Sequence, residues 1–457
     1  MRTPRPLVVV TAAVLGLTAC GGVRGGPGGS GAGDPYFPKA GNDGYDVTHY
    51  DLDLSYEPDG HRLTGTATLT ARATEDLPAF DLDLKGMRVD DVTVDGRDAR
   101  YHRAGQELTV RPPDGLDRGD RFRVTVRYGG APETITDPDG SREGWLRTAD
   151  GALALGQPVG SMAWFPGNHH PGDKATYAVA VTVPKGLRAV SNGEPAGERT
   201  APAGRTTYLW RTAEPMASYL ATVAIGDWRT DRSRTRDGLP VYTAVDPTQA
   251  AASAAVLKRI PEVVDWAEGL FGRYPFSSVG AIVDRPSDIG YALETQNRPV
   301  FPGAPDIVLL VHELAHQWYG DSVTPKTWRD MWLNEGFATY AEWLWQEDHG
   351  GAGAQEIFEA TYGQDVVWAF PPADPPDAAH ISAAPVYQRG AMVLHKIRQQ
   401  AGDTAFRALL RGWAAAHRHG TADTDDFTAY VEKRLPDEDF TAVWEDWLRG
   451  DGQPDRP

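Results

Sequence analysis

The chain has 457 residues, a formal net charge of -18 and a 41% hydrophobic fraction that includes 14 Trp. That is material for two or three domains with substantial cores, and it excludes disorder over the whole length. The acidic surplus has the wrong sign for a phosphate backbone, because nucleic-acid affinity rests on counterion release by Lys and Arg. DNA and RNA are therefore set aside as partners, while cationic ligands and metal ions stay compatible with the charge.

A single cysteine, Cys20, excludes an intramolecular disulfide or a Cys-rich metal site. It closes the stretch MRTPRPLVVVTAAVLGLTAC, in which Arg2 and Arg5 precede an apolar run over residues 7–19. That run is too short to cross a bilayer of about 30 Å at ~1.5 Å per residue, but it suits the apolar region of a signal peptide. Leu17-Thr18-Ala19-Cys20 resembles the bacterial lipobox. The resemblance implies a signal peptide over residues 1–19, lipidation of Cys20 and a tether to the outer face of a bacterial membrane, with simple secretion as the alternative. Residues 21–34 are Gly-rich and read as a flexible tether, with the lipidated Cys and tether together spanning 20–44.

From Tyr45 the hydrophobic pattern has period two. Residues 63–71 (LTGTATLTA), 122–128 and 177–183 each alternate apolar with polar, with Asp-Gly and Pro-Gly turns between such runs. One apolar and one polar face predict an antiparallel sheet, sandwich or saddle over residues 45–235. Beyond about residue 230 the period changes to that of helices, predicted at 250–270, 307–319, 334–348, 387–400, 404–417 and 427–434, with a short strand at 281–283. Strands followed by helices indicate an α+β chain of two domains, the second over 236–457.

Within the predicted helix 307–319 lies His312-Glu313-Leu314-Ala315-His316. Residues four apart share a helix face about 6 Å apart, so both imidazoles can reach one ion. Glu313 sits one step round, where it can face water on that ion rather than the ion itself. Catalytic zinc takes three protein ligands and leaves one position open. Glu335, nineteen residues after His316 at the start of the next predicted helix, can supply the third if the two helices pack side by side.

HELAH, a gap of eighteen residues and NEGFATYAE together resemble the gluzincin family of zinc aminopeptidases typified by aminopeptidase N and leukotriene hydrolase. The resemblance implies a thermolysin-like catalytic domain, one zinc per chain held by His312, His316 and Glu335, and Glu313 as general base. Tyr291-Ala292-Leu293-Glu294-Thr295 is similar to that family's Gly-Ala-Met-Glu-Asn segment, whose Glu binds the free α-amino group of a peptide. Glu294 inherits that role and Ala292 a place beside the substrate, although Tyr291, Leu293 and Thr295 depart from the pattern. Val386-Tyr387-Gln388-Arg389-Gly390 is similar to the family's Tyr-x-Lys-Gly element, which implies that Tyr387 donates its phenolic proton to the oxyanion. Gln157 aligns with a Gln or Glu that shares the amine pocket.

Helical spacing adds Glu342 and Asn334 as candidates for orienting the ligand histidines. His169-His170 and His417/His419 read as surface residues, since no carboxylate stands at ligand spacing from them. The expected function is a zinc-dependent aminopeptidase acting on peptides with a free N-terminus. A surface metalloendopeptidase is the alternative, and a lipid-anchored binding protein with structural zinc the rival from another class. Many family members carry a helical C-terminal domain over the cleft. This sequence ends at Pro457 without a counterpart, so a more open site is expected. No protein partner is legible.

Overall fold

The computed structural model describes residues 31–286 and 289–455. The signal-peptide run, Cys20 and the first part of the tether lie outside the described residues.

The N-terminal half is built on an eight-stranded sheet whose centre is the run Arg205–Ala217, Lys174–Val183, Tyr45–Glu57, Arg62–Ala73 and Arg121–Gly130. In Tyr45–Glu57 the inward residues are Tyr45 and Val47, then Tyr50, Leu52, Leu54 and Tyr56. A bulge between Val47 and His49 changes the phase from odd to even, so one apolar face survives along the whole strand. The sheet is not wholly antiparallel as the alternation predicted. Tyr45–Glu57 runs parallel to Lys174–Val183, with His49 opposite Thr176. Alternation reports which face a residue takes and carries no information about the direction of the neighbouring strand. A five-stranded sheet follows, in which Ala152–Leu155 lies between Arg142–Arg147 and Val223–Gly226. It leads the chain out through residues 156–160 toward the helical half.

The C-terminal half opens on the four-stranded sheet Arg229–Arg234, Pro240–Val245, Val279–Asp284, Val300–Pro302. Because the first two strands form one hairpin, the division drawn at residue 235 cuts through a sheet, and the structural break lies nearer Trp228. Eight α-helices follow among the described residues: α1 Ala250–Leu257, α2 Ile260–Phe271, α3 Ile307–Ala315, α4 Trp332–Asp348, α5 Ala354–Tyr362, α6 Gly390–Ala401, α7 Asp403–Ala416 and α8 Thr424–Arg434. The single helix expected at 250–270 is two, because Pro261 lacks an N–H and its ring collides with the carbonyl of Leu257. No helix among the described residues is long and apolar enough to cross a membrane.

α4 is buried on every side over most of its length, which is why its sequence shows little amphipathic character. It packs against α3 on one flank and α6 on the other. The crossing with α6 is made at Gly336 and Gly390: a Cβ on Gly336 would stand 2.9 Å from the Gly390 carbonyl carbon. That close approach sets the start of α6 directly against the first turn of α4.

Two contacts lock the halves together. Lys174, half-buried at the start of its strand, donates from Nζ to the carbonyls of Asp321, Ser322 and Gly420 at 2.8, 3.0 and 3.2 Å. Residues 31–44, read from composition as tether, are packed. The Asp34 carboxylate accepts from the amides of Tyr36 and Phe37 and, at 2.8 Å, from that of Trp328 in the C-terminal half. A carboxylate that satisfies three backbone donors defeats the flexibility that the Gly-rich run suggests.

Candidate active site

α3 begins where Asp306 caps it, its carboxylate accepting from the Leu309 amide at 2.8 Å. It presents His312 and, at its last turn, His316 toward the first turn of α4, where Glu335 stands. Glu335 Oε2 is 3.3 Å from Nε2 of both histidines. All three donor atoms lie within 4.8 Å of one another, and all three residues are buried.

The opposite ring nitrogens are already engaged. His312 Nδ1–H donates to Glu342 Oε1 at 2.6 Å, and His316 Nδ1–H donates to the Tyr319 carbonyl at 3.1 Å. Both acceptors require a proton on Nδ1, so Nε2 of each ring is the nitrogen left to face Glu335 and a metal beside it. Two imidazole nitrogens and one carboxylate oxygen, fixed in this way, fit the three-ligand set of a catalytic zinc ion. Glu342 thus sits where helical spacing placed it, one stripe along from Glu335.

Glu313 lies on the same turn of α3. Its Oε2 is buried and has no hydrogen-bond partner among the described residues, and burial pushes its carboxyl up to about 8. Tyr387 belongs to a single wide turn, Pro385–Arg389, that leads into α6. Its ring stacks on His312 at 6.1 Å between centroids and 10° between planes. Burial raises its phenol well above the usual range, so the hydroxyl keeps its proton.

Glu294, also buried, reaches the same space from the turn after the strand Val279–Asp284. Its Oε1 accepts from Gln157 Nε2 at 3.2 Å and from Asn334 Nδ2 at 3.0 Å. The contact with Gln157 joins the two halves of the chain. Asn334 was expected to orient an imidazole, but it turns instead toward Glu294. Gly320 makes room for this, since a Cβ there would stand 2.0 Å from Asn334 Oδ1. Ala292, Gln157, Glu294, Glu313 and Tyr387 line one cavity of about 760 Å³ with His312, His316 and Glu335.

Two contributors were not anticipated. Gln317, directly after HELAH, accepts from the Asn297 amide and donates to the Glu294 carbonyl at 2.8 and 3.0 Å, holding the Glu294 turn against α3. Tyr291 donates to the Arg142 carbonyl at 3.1 Å and so ties that turn to the N-terminal half. Tyr291 had been noted only as a departure from a family pattern, and a lone Gln carries no spacing signal. The surface reading of His169-His170 is corrected, for both are buried in the N-terminal half. His169 is fixed between Ser218 Oγ and the Phe165 carbonyl, each at 3.0 Å. A single sequence does not show the Ser218 partner of His169, because it arrives from 49 residues away. His417 and His419 are half-buried, against Trp413 and Phe276.

Residues 47–220 match the Peptidase M1 N-terminal domain, and residues 304–447 match the Peptidase family M1 domain. The M1 zinc metallopeptidase of Deinococcus radiodurans superposes with a TM-score of 0.86 at 30% identity, the match covering 93% of this chain and 98% of that one. The chain belongs to peptidase family M1. Among curated M1-like relatives, the tricorn protease-interacting factor F2 of Thermoplasma acidophilum is 24% identical over 88% of this chain and 53% of its own. The glutamyl aminopeptidase of Bitis rhinoceros is 23% identical over 89% and 46%. The M1 chain therefore spans about half the length of the curated relatives it matches. Zinc is the metal of this M1 family, in agreement with the donor set.

Proposed function

We propose that this chain is a zinc aminopeptidase that removes residues from the free N-terminus of peptides at the bacterial cell surface. The observation that carries the reading is Glu294, a buried carboxylate held by Gln157 and Asn334 at the wall of the cavity that contains the His312–His316–Glu335 set. Relatives support it: a mutant of the Deinococcus enzyme is bound to a Tyr-Ser-Ala substrate, and a two domain M1 zinc metallopeptidase is bound to L-arginine.

In this reading His312, His316 and Glu335 hold the metal. Bound there, zinc supplies Lewis acidity toward a carbonyl and a lowered pKa for water. Glu313 accepts the proton of the attacking water on its unpartnered Oε2 and returns it to the leaving amine. Tyr387 donates its hydroxyl to the oxygen of the scissile carbonyl as negative charge develops. Glu294, with the Gln157 carbonyl oxygen as a second acceptor, pairs with the substrate ammonium and sets the cut one residue in.

The deciding comparison is between free and N-acetylated forms of one peptide. A hydrogen-bonded charge is worth about 1.5–3 kcal/mol, so acetylation lowers kcat/KM by roughly 10- to 150-fold. Glu294→Ala narrows that gap without changing zinc content. Equal cleavage of both forms replaces this reading with the metalloendopeptidase. The Glu342 contact makes a separate prediction. Glu342→Ala frees the His312 ring and weakens zinc binding by about 10- to 100-fold in competition with a chelator. With saturating zinc its kcat returns to near the parent value.

The surface location rests on the lipobox-like run. Cys20→Ala leaves the protein unprocessed or releases it from membranes, which detergent partition reads directly. Partition equal to that of the parent removes the lipid anchor.

A further inference from the structure

Arg389 ends the wide turn Pro385–Arg389 that carries Tyr387, and it is 0% exposed. Its Nε donates to the Trp447 carbonyl at 2.8 Å. Nη2 donates to the carbonyls of Asp446 and Gly450 at 2.9 and 2.5 Å, and Nη1 to that of Phe370 at 3.3 Å. A guanidinium offers a planar fork of N–H donors, and here both of its ends and its Nε edge are placed on backbone oxygens. Its face lies against Trp368, with Cζ 5.2 Å from the ring centroid. Burial lowers its pKa only to about 10, so the group is charged at neutral pH.

The acceptors come from two segments. Val443–Leu448 is a second wide turn, and Asp446, Trp447 and Gly450 stand at its last turn and just beyond it. The last carbonyls of a helical segment have no partner within it and form its negative pole. A cationic fork satisfies several of them at once, whereas a lysine ammonium is a single point of donation. Phe370 and Trp368 belong to the segment that leads on to Ala378, Ile381 and Ser382 on the wall of the active cavity. Arg389 gathers both segments onto the turn of Tyr387.

That turn is held loosely from within. The Gly390 amide donates to the carbonyls of both Pro385 and Tyr387, and Tyr387 is half-buried. Stacking on His312 fixes the plane of the Tyr387 ring. A stacked ring can still shift within its own plane, so the backbone sets how far the hydroxyl reaches. We propose that Arg389 is a positioning residue for the reaction. By clamping the carbonyls of residues 446, 447 and 450 onto the turn of Tyr387, it sets the reach of the phenolic hydroxyl toward the scissile carbonyl oxygen. This inference rests on the reading of Tyr387 as the oxyanion donor.

The test compares single and double variants of the zinc-loaded full chain on one aminoacyl-arylamide. Arg389→Met keeps an apolar stem against Trp368 and loses every donor. Its kcat falls by about 10- to 100-fold, while KM stays within about threefold and zinc at about one per chain. In the Tyr387→Phe background the same change costs less than about twofold, because the hydroxyl whose reach it sets is already gone. Gly450→Ala disturbs the clamp from the acceptor side, since a Cβ there would stand 2.5 Å from the Glu445 carbonyl oxygen and 2.9 Å from that of Asp446. It gives the same pattern, and it carries the comparison if Arg389→Met does not fold. Losses that multiply in the double variants make Arg389 a stabilising residue only and overturn this inference alone. Parental kcat in Arg389→Met overturns it as well. A Tyr387→Phe enzyme with parental kcat overturns the reading of Tyr387 and this inference together.

Discussion

Glu313→Gln keeps about one zinc per chain and loses roughly 10²–10⁴ in kcat. The two halves of that result follow from different atoms. In the proposed assignment the metal is held by Nε2 of His312, Nε2 of His316 and Oε2 of Glu335 and not by Glu313, although Glu313 also stands with Glu294 and His316 in a second group whose donor atoms lie within 4.8 Å of one another. Its own Oε2 is buried, unpartnered and turned toward the shared cavity. Burial, with the nearby Glu294 and Glu335 carboxylates and against the pull of His312 and His316, pushes its carboxyl up to about 8, which describes a group disposed to hold a proton. Glutamine preserves the shape and removes that basicity. Elemental analysis and steady-state kinetics on one aminoacyl-arylamide separate the outcomes. A variant with kcat within tenfold of the parent would falsify the base assignment. One that loses its metal makes Glu313 structural instead.

Tyr387→Phe is expected to lower kcat by about 10²–10³ while KM changes little, the pattern of a group whose bond forms in the transition state. Phenylalanine retains the ring that stacks on His312, so the geometry of the zinc-binding ring is preserved. Only the hydroxyl is lost, and its raised pKa keeps it a donor throughout the neutral range. A drop in kcat below about threefold, or a matching loss of zinc, leaves Tyr387 as packing against His312.

These two predictions rest on residues of different legibility. Glu313 could be assigned from five consecutive letters, because helical spacing alone puts His312 and His316 on one face and Glu313 beside them. Tyr387 could not be placed from helical periodicity. It occupies a wide turn rather than the regular helix expected there, and from that turn its ring stacks on His312 of α3. The same contrast runs through the fold. Alternation located the strands of the N-terminal half but not the parallel pairing of Tyr45–Glu57 with Lys174–Val183. Pro261 carried the break between α1 and α2, while the helical pattern over 250–270 pointed to one helix. Composition made residues 31–44 a tether, and the carboxylate of Asp34 fastens them to Trp328.

By itself, then, the sequence determined what local geometry decides: the α+β division, the shared face of α3 that carries His312 and His316, and Glu342 two helical turns beyond Glu335 on one stripe of α4. Each depends on a repeat of 2 or about 3.6 residues, which a linear string records directly. Only the tertiary structure decided the surroundings of Glu294. Gln157 lies 137 residues away and Asn334 lies 40 away, and Asn334 turned from the expected imidazole to this carboxylate. It also decided that His169 and His170 are interior and that Arg389 is a buried charge held by backbone carbonyls. Such contacts are set by how sheets and helices pack across long loops. Their energies belong to pairs of residues that no local spacing brings together.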